Sequence, residues 1–295
     1  MLSLERLRVL HAVSTTGSVA GAARTLHVTT SAVSQQLARL EREIGQTLVE
    51  RHGRGVRLTD AGTLLARRAG DLLTQVERVE ADLAEHSGAV TGPLTVGAFA
   101  TAARGLLPGV LADLRSRHPD LSVSLAELEP HEAVPGVRRG TLDLAVVQDW
   151  PDNPLVVPAE LARRHLLDDA FDAALPATHP LAGRSTVAIT ELAGDDWITW
   201  STGQICHDWL IRTLWHPGPG PRVAHTASEH STQLALVAAG LGVALIPRLG
   251  RETAPPSVRY VALDPAPSRR VFAIWRDSAS ARPGLRAVLS ALSRR

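Results

Sequence analysis

Ser18-Val19-Ala20-Gly21-Ala22-Ala23-Arg24-Thr25-Leu26-His27-Val28-Thr29-Thr30-Ser31-Ala32-Val33-Ser34-Gln35-Gln36-Leu37-Ala38-Arg39-Leu40-Glu41-Arg42-Glu43-Ile44-Gly45 is the stretch that decides how this chain folds. Residues 19–26 are short in side chain, so a second helix can cross closely over them, and Ser18 is placed to cap them. His27-Val28-Thr29 is a turn. Over residues 30–44, Val33, Leu37, Leu40 and Ile44 recur by four, three and four, which is one apolar stripe on a helix. Gly45 ends it as a C′ glycine does. Opposite the stripe lie Ser31, Ser34, Gln35, Arg39 and Arg42. Two helices joined by a short turn, the second with a polar face, describe a helix-turn-helix. Short hydroxyls, an amide and guanidinium groups suit base edges and phosphates in a major groove. A polar face alone is better read as a solvated surface, so the flanking segments must decide.

Upstream, Leu4, Leu7 and Leu10 give a first helix over residues 4–14, broken at Gly17-Ser18. Downstream, residues 48–51 and 56–59 are β-like pieces around His52-Gly53-Arg54-Gly55. That is a hairpin with cations at its tip, a wing, whose Arg51, Arg54 and Arg57 can reach phosphates or the minor groove. A helical run follows over residues 60–85. Leu65, Leu72, Val76, Val79 and Leu83 make a near-heptad seam on it. One long helix cannot bury such a seam alone. Pairing with a second copy is the natural remedy, and packing onto its own domain is the alternative.

Charge agrees with a nucleic-acid-facing N-terminal piece. The whole chain carries a net charge of only +1 over 295 residues. Residues 1–68, however, hold ten arginines against five acids, a net of +5, which leaves −4 for the other 227. A basic segment on a mildly acidic body suggests one part that meets an anion and one that does not. All 31 basic residues are Arg, which reads as codon composition rather than a functional choice. Hydrophobic residues at 44% and charged residues at 21% exclude wholesale disorder. Early charges leave no room for a signal-peptide apolar region, no uncharged stretch suits a spanning helix, and a single cysteine forbids an internal disulfide. The expected location is the cytoplasm.

Residues 1–88 resemble the N-terminal region of the LysR-type transcriptional regulators. The likeness rests on Gly17 to Val28, on Ser31 to Glu41, and on Gly45 through Arg51-His52-Gly53-Arg54-Gly55-Val56-Arg57-Leu58-Thr59-Asp60-Ala61-Gly62. Val49 departs from it, standing where the family usually has Phe under the wing. Gln35 often corresponds to Arg in the family, so operator preference does not carry over from Arg-bearing relatives. The resemblance implies that Thr30, Ser31, Ser34 and Gln35 read bases, with Arg39 beside them, and that Arg51 and Arg54 serve the wing. It implies as partners double-stranded operator DNA, a small-molecule effector, further copies of the chain as a dimer and then a tetramer, and RNA polymerase. No cofactor, metal or membrane partner is expected.

Beyond a short Gly-containing link at residues 88–92, strands and helices alternate. Residues 93–97, 121–128 and 142–147 read as strands, with helices at 106–117 and 133–139 between them. This is the pattern of an open α/β sheet. Residues 161–167 and 171–175 continue in extended form. Strands at 196–200, 240–247, 257–263 and 269–276 are interleaved with helices at 205–214, 231–239 and 284–292. Thr95-Val96-Gly97, Leu142-Asp143-Leu144-Ala145-Val146, His179-Pro180-Leu181-Ala182 and residues 239–247 make residues 92–295 resemble the effector-binding domain of the same family. That domain is like a periplasmic solute-binding protein. The expected organisation is a winged helix-turn-helix at 1–60, a dimerisation helix at 61–88, and an effector-binding α/β domain at 92–295. Its subdomain I covers about 92–163 and 266–295, its subdomain II about 164–265, with crossovers near 162–165 and 264–268.

An effector would sit between the subdomains, where strand ends meet helix N-termini. The candidates are Phe99, Ala100 and Thr101 after the first strand, Gln148 and Asp149 after the third, Ser201 and Thr202 before a helix, and Glu229 and His230 before another. Each hydroxyl is equally readable as a plain N-cap. Free amides favour a polar or anionic head. Phe99, where the family often has Ser, favours an aromatic or apolar part, with Trp150 and Trp200 nearby.

Cys206, followed by His207 at the start of a helix, gives an alternative: a redox-responsive regulator of the same fold. A helix N-terminus and a protonated neighbour lower a thiol's pKa. Peroxide-sensing members of the family are similar in placing a cysteine here, but use a second one that this chain lacks. Cys206, His207, His216, His225 and His230 fall close together without a metal-ligand spacing. No G-x-S-x-G or phosphate-loop motif supports an enzyme, and an exported solute-binding protein would not carry residues 1–88.

Overall fold

The computed structural model describes residues 2–52, 55–215 and 220–294. The N-terminal unit is α1 (Leu4–Thr16), α2 (Val19–Thr25), α3 (Thr30–Ile44), the hairpin of β1 (Val49–His52) and β2 (Gly55–Leu58), and α4 (Asp60–Ser87). Hydroxyl caps start the helices where the sequence puts them. Ser18 Oγ accepts from Gly21 N at 3.0 Å, Thr29 Oγ1 from Ala32 N at 3.2 Å, and Thr59 Oγ1 from Gly62 N at 3.0 Å. Gly17 and Gly45 close α1 and α3 at φ of 68° and 73°, where a Cβ is strained. Val33, Leu37 and Leu40 of α3 are buried against Leu10, Val13 and Ala22. The wing is tied to α3 by the Glu41 carboxylate, which accepts from Leu48 N at 2.8 Å and Val49 N at 3.1 Å.

The C-terminal unit is built from β3 (Gly92–Ala98), α5 (Ala100–Gly105), α6 (Leu107–Arg117), β4 (Leu121–Glu127), α7 (Pro130–Arg139), β5 (Leu144–Asp149), β6 (Leu161–Pro176), β7 (Thr186–Val187), β8 (Asp196–Thr199), α8 (Ile205–Leu214), β9 (Arg222–Thr226), α9 (His230–Ala238), β10 (Val243–Pro247), β11 (Val258–Leu263), β12 (Ser268–Arg276) and α10 (Pro283–Leu292). Strands run in the order β4-β3-β5-β12-β6-β10-β8-β9, with β11 beside β6 and β7. Parallel β4-β3-β5 is the α/β arrangement that the alternation predicts.

The extended stretch read in two pieces is one 16-residue strand, β6. Its first part, to Ala170, pairs with β12; from Phe171 it pairs with β10 and β11. The change of partner therefore falls at Ala170/Phe171, not at the expected 162–165. The polar run Arg163-Arg164-His165 looks like a crossover in sequence, but it is an ordinary half-solvated part of a paired strand. The return passes between β11 and β12. Two apolar clusters follow this division. One surrounds Val96, Leu107, Val110 and Val288; the other surrounds Phe171, Trp197, Leu210 and Leu245.

Helix α4 also lies against the C-terminal unit. Arg276 Nε donates to Glu77 Oε1 at 2.7 Å, Ser278 donates to the same carboxylate, and Arg286 pairs with Glu85.

Candidate ligand cleft and nucleic-acid interface

Helix α3 presents Thr30, Ser31, Ser34, Gln35 and Arg39 to solvent on one exposed face. Two of the hydroxyls are engaged locally: Ser34 Oγ donates to Thr30 O at 2.9 Å, and Ser31 Oγ shares a bond with Thr29 Oγ1 at 2.9 Å. Gln35 and Arg39 have no hydrogen-bond or ion-pair partner among the described residues. A free amide and a free guanidinium one turn apart are what direct readout of a base and contact with a phosphate require. Arg54 and the Arg51 side chain lie outside the described residues.

The second site is a cavity of about 450 Å³ where the ends of β3, β5 and β8 meet the starts of α5, α8 and α9. Six of the nine expected residues line it: Phe99, Ala100, Thr101, Gln148, Glu229 and His230. Ser201 and Thr202 do not. They are exposed on a turn in which Gln204 N donates to Ser201 O at 3.1 Å. Gly203 takes φ 86° in that turn, and α8 starts only at Ile205, so Gln204 takes the cleft position instead. Trp200 lines the cleft, whereas Trp150 is buried behind it, stacked on Trp209 at 4.1 Å. Asp149 is also structural. It holds Arg270 at 2.8 and 2.9 Å and accepts from Leu155 N at 2.9 Å.

The group at the centre of the cleft is one the sequence reading did not single out, Arg269. Its side chain is 2% exposed. Arg269 Nε and Nη2 donate to Asp169 Oδ2 at 2.9 and 2.7 Å, Nη2 donates to Thr101 Oγ1 at 2.6 Å, and Nη1 donates to Gln148 Oε1. The rings of Phe99 and Phe171 flank the guanidinium, 4.8 and 5.1 Å from it. Thr101 and Gln148 therefore do line the cleft, but Thr101 Oγ1 and Gln148 Oε1 are engaged by Arg269. The signal for Arg269 was cross-strand: Asp169 lies opposite it in the β6–β12 register, and Asp149 lies opposite Arg270 in β5–β12.

Burial dominates the titrating groups here. His230, first residue of α9, is 6% exposed, and its Nε2 has no hydrogen-bond partner. Burial first, then the charges of Arg269 and Arg104, push its pKa down to about 3. The imidazole is therefore neutral at pH 7, edge-on to Trp200 at 5.6 Å. In the unfolded chain it would protonate near 6.5. Between those values the unfolded state holds the extra proton, so stability is present above about 6.5 and declines as pH falls toward 3. His230→Gln should flatten this acid limb in melting curves taken at stepped pH; an unchanged limb would rule His230 out as its source. Burial pushes the Cys206 thiol up to about 11, an effect that Arg269 only partly offsets. Glu129 is raised for the same first reason, against the pull of Arg269 and His131.

Of the metal-donor candidates, His207 Nδ1 is bonded to Trp200 O at 3.0 Å, and His216 lies outside the described residues. Among the described residues no group of three donors could hold an ion, and no helix is long and apolar enough to cross a membrane.

The family model described as "Bacterial regulatory helix-turn-helix protein, lysR family" matches residues 4–63, and that described as "LysR substrate binding domain" matches residues 87–295. A probable hydrogen peroxide-inducible genes activator of Mycobacterium avium is 31% identical over 279 residues, covering 92% of this chain and 87% of the relative. Full-length OxyR from Pseudomonas aeruginosa, solved as a variant, shares the fold at TM-score 0.72 and 24% identity, over 99% of this chain and 95% of that one. A hydrogen-peroxide-bound variant of OxyR from Corynebacterium glutamicum has TM-score 0.62 and 28% identity, over 99% and 92% of the two chains.

Proposed function

This chain belongs to the lysR family of bacterial transcriptional regulators, and from that premise we propose how it reads DNA and what governs the reading. Helix α3 enters the major groove. Thr30, Ser31, Ser34 and Gln35 meet base edges, while Arg39 and the wing arginines Arg51 and Arg54 meet phosphates. A small molecule with a polar head and an apolar body binds between the two halves of the C-terminal domain. An effector that favours one arrangement of the paired domains changes how the α3 helices are spaced on their half-sites, a coupling of about 1–3 kcal/mol in general. The chain acts as a regulator rather than an enzyme, in the cytoplasm, with RNA polymerase as a further partner. The carrying observation is the exposed face of α3, on which Gln35 and Arg39 are free.

A footprint on the DNA flanking its own gene, with and without candidate small molecules, tests both halves of the proposal. On the operator so found, Gln35→Ala should relax base choice at one position per half-site by about 1–3 kcal/mol. Arg39→Ala should instead weaken all sequences alike and flatten the salt dependence. Equal losses on operator and random DNA for Gln35→Ala would overturn the assignment.

A second reading is favoured by one observation: Cys206, the chain's single cysteine, lines the same cleft. Its relatives include proteins named peroxide-inducible activators. Against it, a thiol pushed up to about 11 is poorly ionised at pH 7, and there is no second cysteine to resolve an oxidised one. If the cleft senses a ligand, Cys206→Ser should leave a peroxide-independent footprint change intact. If it senses oxidant, the same variant should abolish a peroxide-driven change.

A further inference from the structure

The effector cleft proposed above carries a definite sign of charge, and this step rests on that reading. Two cations line the cavity, Arg104 and Arg269, and each is already engaged by a partner outside the cavity's carboxylates. Arg269 is held by Asp169, Thr101 and Gln148 and is 2% exposed. Arg104 Nη1 pairs with Glu252 at 3.3 Å, and its Nε donates to Gly250 O at 2.8 Å. Three carboxylates line the same cavity, Glu127, Glu129 and Glu229, and none of them is in an ion pair among the described residues.

Their placement matters as much as their number. Glu129 is the N-cap residue of α7 and Glu229 that of α9, and neither side chain caps its helix. The positive ends of two helices, which would otherwise draw an anion, already face a carboxylate. The carboxylates come from opposite sides. Glu127 and Glu129 follow β4 in the first half of the domain, and Glu229 precedes α9 in the second. A ligand spanning the cleft therefore meets negative charge on both walls. His230 lines the same cavity; it is 6% exposed, and its Nε2 has no hydrogen-bond partner. A buried ring nitrogen without a partner calls for a polar group from a ligand. Phe99, Trp200 and Ile205 supply apolar wall.

We infer that the effector is a cation, a protonated amine or amidine carried on an apolar or aromatic body, with its charge between Glu129 and Glu229 and a polar contact at His230. The sequence reading had left the head polar or anionic on the strength of free helix amides. The unpaired carboxylates outweigh those amides, because each carries a full charge against the half-charge of a helix end.

Three near-isosteric probes separate the signs: 2-phenylethylamine, phenylacetate and 2-phenylethanol, titrated into the full chain. Binding is followed by tryptophan fluorescence and by melting temperature. The amine should bind tightest and the carboxylate weakest. Glu229→Gln and Glu129→Gln should each cut amine affinity about tenfold, and the double variant should erase the preference over the alcohol. Both variants keep side-chain shape, and their own melting temperatures check folding. Tighter binding of phenylacetate, a ranking blind to charge, or an amine preference that survives the double variant overturns the cation assignment. In the first two cases, a fluorescence response lost in His230→Ala would keep the cleft as the effector site while the cation falls. Silence from all three probes also overturns the cation assignment, and the footprint then judges the cleft on its own.

Discussion

Arg269→Met is expected to lower the stability of the C-terminal domain by about 3–5 kcal/mol. The substitution keeps the apolar stem and removes the charge. Asp169, whose side chain is 2% exposed, is then a buried carboxylate with only Leu249 N, at 2.8 Å, left to satisfy it. Thr101 Oγ1 and Gln148 Oε1 lose their donor as well. Buried acceptors without partners forfeit their hydration and recover nothing. The position amplifies the loss. Asp169 stands at the point where β6 leaves β12 for β10 and β11, so the guanidinium pins α5 and β5 to the joint between the two halves. Adding Asp169→Asn should recover much of the loss by removing the stranded charge. Urea melts of the full chain read both variants. A loss below about 1 kcal/mol for Arg269→Met, the scale of a solvent-exposed pair, would show that the group is not buried in solution.

The same residue marks where sequence reading stops. Val33, Leu37, Leu40 and Ile44 are near neighbours, so their spacing alone gives α3, and the structure has it over the expected residues. The cap at Ser18 is equally local. Phe99, Thr101 and His230 were legible because a strand-to-helix junction in an open sheet points its first residues at the cleft. Arg269 was not legible. Its meaning depends on Asp169, one hundred positions earlier, and on a register that places the two opposite each other. Before the register is known, Arg269-Arg270 is an unremarkable pair at a strand end. Ser201 and Thr202 failed for a local reason: Gly203 turns the chain at positive φ, delaying the helix that would have brought them inward. The crossover at 162–165 failed because Arg163, Arg164 and His165 are polar. Polarity marks a solvated strand face as readily as a break in a strand.

Leu72→Glu together with Leu83→Glu is expected to halve the mass seen by light scattering and to remove operator binding at concentrations where the wild-type chain is saturated. The seam on α4 divides in the structure. Leu65 packs on the N-terminal core, and the half-buried Val76 faces a cavity between α4 and the C-terminal unit, so both turn toward the chain itself. Leu72, Val79 and Leu83 are 48%, 57% and 66% exposed, with Leu64 at 53%. Helix α4 has 28 residues, about 42 Å at 1.5 Å per residue, and its other side is held by Arg276 and Arg286 through Glu77 and Glu85. That docking fixes which stripe faces outward. Burying one such Leu or Val is worth about 1.5–3 kcal/mol, so leaving several in water favours association strongly. The occupant we propose is a second copy, because steps of seven and four residues between the exposed positions make a self-complementary seam. In such a pair each introduced Glu is a charge placed in an apolar seam without a partner, which raises the dimer Kd by at least about a hundredfold. Operator affinity falls with it, since two joined reading heads gain from effective concentration and a single one does not. Val76→Thr, on the covered side, should leave the mass unchanged and so separates assembly from folding. If the double variant keeps both its mass and its operator affinity, the exposed stripe of α4 is not the dimer contact.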